Sequence, residues 1–259
     1  SMNDAASERD IRAYQAAYAS TYDFEAVQVR FRREAVLDSL RVRKPRHVVE
    51  IGCGMEPLLP HYLASGNDID SWVVVEPAPM FAQAARDAGK DCAGMVVIEG
   101  LFGDDVANRI LEAHSLADMV VCSGLLHEVA DPMALLHAMR RVMADDALVH
   151  VNVPNAASLH RRLAKAMGLI QDLETLSDRN VELQQHRVYS LATLQHDLQA
   201  AGLRPVEDGG ILMKPFTHAQ MSIVVDAIGS DILAGLAVLG RELPELSSEI
   251  FVNATVETR

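Results

Sequence analysis

The chain has 259 residues, 49% of them hydrophobic and 23% charged, which are the proportions of a globular protein and rule out disorder as a whole. With 23 basic and 36 acidic residues the net charge is −13, so a nucleic acid or an anionic membrane surface would be repelled on average. Three cysteines (Cys53, Cys92, Cys122) form neither a disulfide framework nor a C-x-x-C metal pair, and no apolar run approaches the ~20 residues of a membrane span, so a reducing cytoplasm is the expected setting.

The first 45 or so residues carry helical spacing, with Ile11, Tyr14 and Tyr18 on one face and Phe24, Val27 and Phe31 on another. Seven basic residues fall between Arg30 and Arg46; the alternatives are the solvated face of that helix and its exit, which we favour, and a patch that attracts an anionic substrate. Arg46–Ile51 then reads as a short buried strand and Pro57–Ala64 as a helix. Trp72–Glu76 is a second strand, followed by Pro79 at a first helical position and Gly89 as a C-terminal cap. Met95–Glu99 is a third strand, Asp104–His114 a helix and Ala117–Cys122 a fourth strand. Asp131-Pro132 opens the next helix, and Ala147–Val153 is a fifth strand. Beyond it, Asn155 is placed to cap a helix ending at Gly168, a polar stretch runs to His186, and Ser190 caps a helix ending at Gly202. Leu203–Val206 and Ile211–Pro215 read as extended, His218–Ile228 and Asp231–Leu239 as helices, and Glu249–Val256 as a last strand.

Apolar strands alternating with helices imply an α/β fold, a parallel sheet covered on both faces. Ligands bind such sheets at the carboxyl ends of the strands, where the strand order reverses. The turn after the first strand is E50-I51-G52-C53-G54-M55-E56-P57. Two glycines admit a close-lying ligand, but Pro57 stands where a dinucleotide fingerprint requires glycine, which disfavours a pyrophosphate loop. Glu76 ends the second strand, 24 residues after Gly52, where a carboxylate can accept from both hydroxyls of a ribose.

In order and spacing, V-V-E-I-G-C-G, V-V-V-E-P and A-D-M-V-V-C-S-G-L-L-H-E-V-A-D-P resemble the class I S-adenosylmethionine-dependent methyltransferases, over roughly Arg46 to Val153. The segments N-V-P-N-A-A-S-L-H-R and Q-Q-H-R-V-Y-S are similar in placement to those of the small-molecule and sugar methyltransferases of that class. The resemblance implies a Rossmann-like, seven-stranded, mostly parallel sheet in one domain over 1–259. Its parts would be N-terminal helices (1–45), a cofactor core (46–153), an inserted cap (154–189) and a C-terminal part (190–259) with helices before the last strand. It implies S-adenosylmethionine as cofactor and S-adenosylhomocysteine as product, bound by Glu50, Gly52, Cys53, Gly54, Glu76, Pro77, Leu101, Phe102, Ser123 and Gly124. Leu101 replaces an aspartate common in the family, and Glu56 replaces a third glycine, so Phe102 packing and backbone contacts would have to hold the adenine.

A hydroxyl acceptor needs a base, and His127, His160 and His186 are the candidates. His127 is equally well read as a residue that shapes the pocket. Tyr14, Tyr18, Asn155 and Arg187 are candidate substrate contacts, against a reading as packing and caps. No metal site is expected. The function these features imply is methylation, with the hydroxyl of a small metabolite or sugar-containing precursor as first choice. An amine acceptor, or a cofactor-binding protein without chemistry, is the alternative. The expected partner is the small-molecule substrate alone, and a homodimer is compatible with the sequence.

Overall fold

The computed structural model describes residues 23–174 and 187–258. Its strands are β1 (His47–Ile51), β2 (Ser71–Glu76), β3 (Met95–Glu99), β4 (Ala117–Ser123), β5 (Met143–Pro154), β6 (Leu203–Ile211) and β7 (Glu249–Val256). They form one sheet in the order β3-β2-β1-β4-β5-β7-β6, with β7 antiparallel to both of its neighbours and the other pairs parallel. The helices are α1 (Asp23–Arg43), α2 (Leu59–Ala64), α3 (Pro79–Gly89), α4 (Asp104–Ala113), α5 (Pro132–Val142), α6 (Leu159–Ala166), α7 (Leu191–Ala200), α8 (His218–Ile228) and α9 (Ile232–Glu242). This is the Rossmann-like seven-stranded sheet that the motifs imply.

The apolar strands are buried on both faces because each face meets helices. Val48, Trp72, Val74 and Val121 pack against Leu37 and Leu40 of α1 and Tyr62 of α2. Val49, Val73, Val75 and Val120 point the other way, toward Ile110 of α4 and Leu136 and Met139 of α5. Helix starts follow local chemistry. Asp131 caps α5 by accepting from the Ala134 amide at 3.0 Å, and capping boxes open α7 (Ser190/Thr193) and α8 (Thr217/Gln220).

Several boundaries differ from the sequence expectation. β5 begins at Met143, with a register shift against β4 between Ala117 and Met119 that lets the strand continue upstream of Ala147. β6 is one continuous strand, bulged between Pro205 and Glu207 on the sheet edge, where proline's missing N–H is tolerated. Its Gly209-Gly210 pair does not break the strand. A Cβ on Gly210 would lie 2.1 Å from the Gly240 carbonyl oxygen, so the glycine serves close packing of α9. Gly89 is the last residue of α3 rather than its left-handed cap, and it makes room for the Met95 side chain. Asn155 does not cap α6, whose N-cap position is Ser158.

One carboxyl joins the first two strands to the turn between β1 and α2. Glu50 is buried, and its Oε1 accepts from the Leu58 amide at 3.1 Å and from Trp72 Nε1 at 3.0 Å. Burial outweighs those two donors and holds the carboxyl up, from its ordinary 4.5 to about 7. Folding therefore favours the protonated form. The resulting stabilisation is complete below pH 4.5, is lost as pH rises through about 7, and amounts to at most about 3 kcal/mol. Glu50→Gln keeps an oxygen that accepts from both donors but does not titrate. Denaturant titrations across this window should show the variant gaining stability relative to wild type as pH rises, and a constant difference between the two would contradict this assignment.

Candidate cofactor and active site

The strand order reverses between β1 and β4, so their carboxyl ends diverge into a cleft. On the β1 side, Gly52 and Gly54 adopt φ of +73° and +59°, which an L side chain rarely takes. A Cβ on Gly54 would meet nothing within 4 Å, so the space beside it is open cleft. Glu76 closes this side. It is buried, and its two oxygens accept from the amides of Gly54 (3.1 Å) and Ala78 (3.0 Å).

On the β4 side stand Ser123 and Gly124, held from behind by a buried row of hydrogen bonds. The Gly124 amide must donate, and it does so to Asn152 Oδ1 at 2.9 Å, which fixes the amide orientation of Asn152. Asn152 Nδ2 then donates to His150 Nε2 at 3.0 Å, so the His150 proton sits on Nδ1 and goes to Asn253 Oδ1 at 2.9 Å. Asn253 Nδ2 ends the row on Glu207 Oε2 at 3.0 Å. Every link points the same way, from the cleft to a carboxylate on the edge strand. Burial lowers the His150 pKa to about 4, against the bond it donates to Asn253, so the ring stays neutral as the row requires.

The third wall comes from α1. Arg32 places Nε and Nη2 on the two oxygens of Glu249 at 2.6 and 2.8 Å and lies beside Gly124. Arg33 reaches the cleft one residue later. Its Nη1 donates to Glu56 at 3.1 Å, and Glu56 also meets His61 Nε2 at 2.6 Å, while its Nε is buried with no hydrogen-bond partner. Besides Glu50, which is largely protonated below pH about 7, the carboxylates of Glu56, Glu76 and Glu128 line the cleft against Arg32 and Arg33, an acidic balance that favours a ligand carrying positive charge.

Of the residues expected at a cofactor, Glu50, Gly52, Cys53, Gly54, Glu76, Ser123 and Gly124 all line this cleft. Burial and the nearby Glu50 and Glu76 push the Cys53 thiol far up, so it is no nucleophile. Pro77 is half-buried beside Glu76, Leu101 is exposed, and Phe102 packs against the core, none of them bordering the described cleft. His127 is buried in a short turn, Leu126–Glu128, with Nε2 3.7 Å from Glu128, and it is Glu128 that forms the wall. His160 bonds Ser158 Oγ at 3.0 Å, and burial, with the charges of Lys214, Arg161 and His218, lowers its pKa to about 3 and leaves it a weak base.

Asn155 is spent on the fold, donating to the carbonyls of Glu245 and Ser247 and accepting from the Ala157 amide. Arg187 pairs with Asp197 at 2.7 Å, and its amide donates to the His127 carbonyl, so it braces the turn that carries His127. Tyr14, Tyr18 and His186 lie outside the described residues.

The sequence reading did not place Arg32, Arg33 or Glu128 on the wall of the cofactor cleft, where the structure puts them. Val29, Arg32, Arg33, Val36 and Leu40 share one 3–4 spacing, and Val36 and Leu40 are core residues. That pattern, more than the count of charges, marks the two arginines as facing inward.

Gly54 offers a direct test of the cleft. In Gly54→Ala the methyl enters only ligand space, although a left-handed alanine costs about 1–2 kcal/mol of stability. Calorimetry should show cofactor affinity reduced at least about tenfold in a variant that still unfolds cooperatively. Unchanged affinity would place the ligand elsewhere.

The comparisons agree with this geometry. Three solved structures superpose with a TM-score of 0.57 each at 12–16% sequence identity. They are a methyltransferase from Thermotoga maritima (95% of this chain, 99% of that one), the 1,6-didemethyltoxoflavin-N1-methyltransferase of Burkholderia thailandensis (95% and 88%) and the plantazolicin methyltransferase (96% and 98%). At such identities the likeness concerns the fold. No curated protein matches by sequence. A methyltransferase-domain family does match residues 25–208, from α1 through the cleft and into β6, and the chain belongs to that family.

Proposed function

We propose that the protein transfers a methyl group from S-adenosylmethionine to a hydroxyl of a small metabolite. The observation that carries the cofactor reading is Glu76, a buried carboxylate bonded to the glycine turn at Gly54 and bordering the same cleft. In this reading Glu76 accepts from the two ribose hydroxyls, Gly52–Gly54 give the backbone close approach, and the Asn152-held Gly124 edge borders the reacting end. When bound, the cofactor supplies a methyl group on a positively charged sulfur, which suits the acidic lining.

The acceptor must lie in line with that methyl, beside Gly124, and a hydroxyl must lose its proton there. Glu128 lines the cleft beside Gly124 and Leu125, and His127 Nε2 lies 3.7 Å behind its carboxylate. We assign the proton to this pair, with Glu128 on the wall and His127 behind it. His160 is the weaker choice on account of its depressed pKa. The toxoflavin-precursor and plantazolicin enzymes among the structural neighbours act on small molecules by their names, and we extend a small-molecule acceptor to this chain by that analogy.

Glu76→Ala removes two ribose contacts and the acceptor of two turn amides. Titration calorimetry should therefore show S-adenosylmethionine binding weakened by at least about 1.5–3 kcal/mol, and a folded variant with wild-type affinity would refute the ribose role. For the acceptor, Glu128→Gln and His127→Ala should each lower kcat by roughly 10²–10⁴ while leaving cofactor affinity near wild type. A raised KM with kcat preserved would turn the pair into a pocket wall and favour an acceptor that arrives already deprotonated, such as an amine.

A further inference from the structure

We infer that Arg33 recognises the α-carboxylate of the cofactor, an assignment that rests on the S-adenosylmethionine reading of the cleft. The two arginines that α1 sends to the cleft differ in one respect. The side-on edge of a guanidinium, Nε with the adjacent terminal nitrogen, is the fork that matches a carboxylate. In Arg32 that fork is filled, with Nε and Nη2 on Glu249. In Arg33 the Glu56 contact is made by Nη1, at the other end, and Nε has no partner although it is buried. A buried charged donor left unpaired is costly, and such groups in a ligand cleft are satisfied by the ligand. The other charged side chains lining the cleft are Arg32, whose fork is filled by Glu249, and glutamates, so the Arg33 guanidinium is the cation with a vacant fork among the described residues of the cleft.

The same geometry gives Glu56 a part. It occupies the place of a third glycine and is fixed by His61 Nε2 as well as by Arg33. Glu56 is a positioning residue. It anchors the far end of the guanidinium and so aims the open fork across the glycine turn, whose first residues border the same space.

A carboxylate could come from the cofactor or from an acceptor, and a measurement without acceptor separates the two. Calorimetry would compare S-adenosylmethionine with its decarboxylated analogue, which keeps the adenosine, the sulfonium and the amine. Wild type should bind S-adenosylmethionine roughly 10- to 100-fold more tightly than the analogue. Arg33→Met should bring that ratio to within about threefold of unity while the analogue binds almost as it does to wild type. Arg33→Lys, which keeps the charge without the fork, should fall between them.

Equal affinity of wild type for both ligands would overturn the assignment without any variant. So would an Arg33→Met protein with an unchanged ratio, whether it binds both ligands normally or loses both alike, since the arginine would then merely tie α1 to the turn. A folded wild type that binds neither ligand would refute the cofactor reading itself, and the assignment with it.

Discussion

The Glu50 carboxyl is the point at which strand geometry becomes a ligand cleft. It accepts from Trp72 Nε1 on β2 and from the Leu58 amide at the end of the turn, so a single buried group sets where the chain leaves β1 and where it returns toward α2. The two left-handed glycines lie between those points. Without an internal acceptor, the Leu58 amide and the Trp72 indole would both be buried donors lacking partners, and the turn could relax into the cleft.

The other half of the cleft is held differently. Gly124 is positioned by side chains from three strands acting in series, Asn152 and His150 on β5, Asn253 on β7 and Glu207 on β6. A row of hydrogen bonds with one direction is mutually polarising, and it is brittle, because replacing any member leaves its neighbours facing the wrong partner. It also explains why β7 runs antiparallel between β5 and β6 without weakening the site. The inserted strand carries the link, and the Arg32–Glu249 pair at its first residue ties it to α1.

Most of the sheet was legible in the sequence because parallel strands covered on both faces are short apolar runs punctuated by caps and glycines. β1, β2, β3 and β7 differ from the sequence reading by a residue at most. The misreadings occur where glycine or proline has a tertiary purpose. The extended reading lapses between Val206 and Ile211, where β6 in fact continues and Gly210 admits α9, and Gly89 reads as a cap but is space for Met95. Among site residues, those fixed by local motifs (Glu50, the glycine turn, Glu76, Ser123 and Gly124) were found. Those delivered from a distant element were not. Arg32 and Arg33 belong to the cleft only because α1 packs across β4 and β5, a fact that no local pattern near the cleft contains. Conversely Asn155 has the right residue type on the right edge, yet the carbonyls of Glu245 and Ser247 claim its amide.

The neutral His150 that the hydrogen-bond row demands has a consequence for the proton inventory of folding. Its pKa falls from 6.5 in the open chain to about 4 when buried, so folding between those pH values expels a proton and is favoured as pH rises. Glu50, rising from 4.5 to about 7, takes up a proton on folding over nearly the same interval. The two slopes are opposite in sign and similar in size. Collapse of the chain thus moves a proton, in effect, from the imidazole behind Gly124 to the carboxyl beneath the glycine turn, and these two groups together leave the net charge of the folding protein almost unchanged across mildly acidic pH.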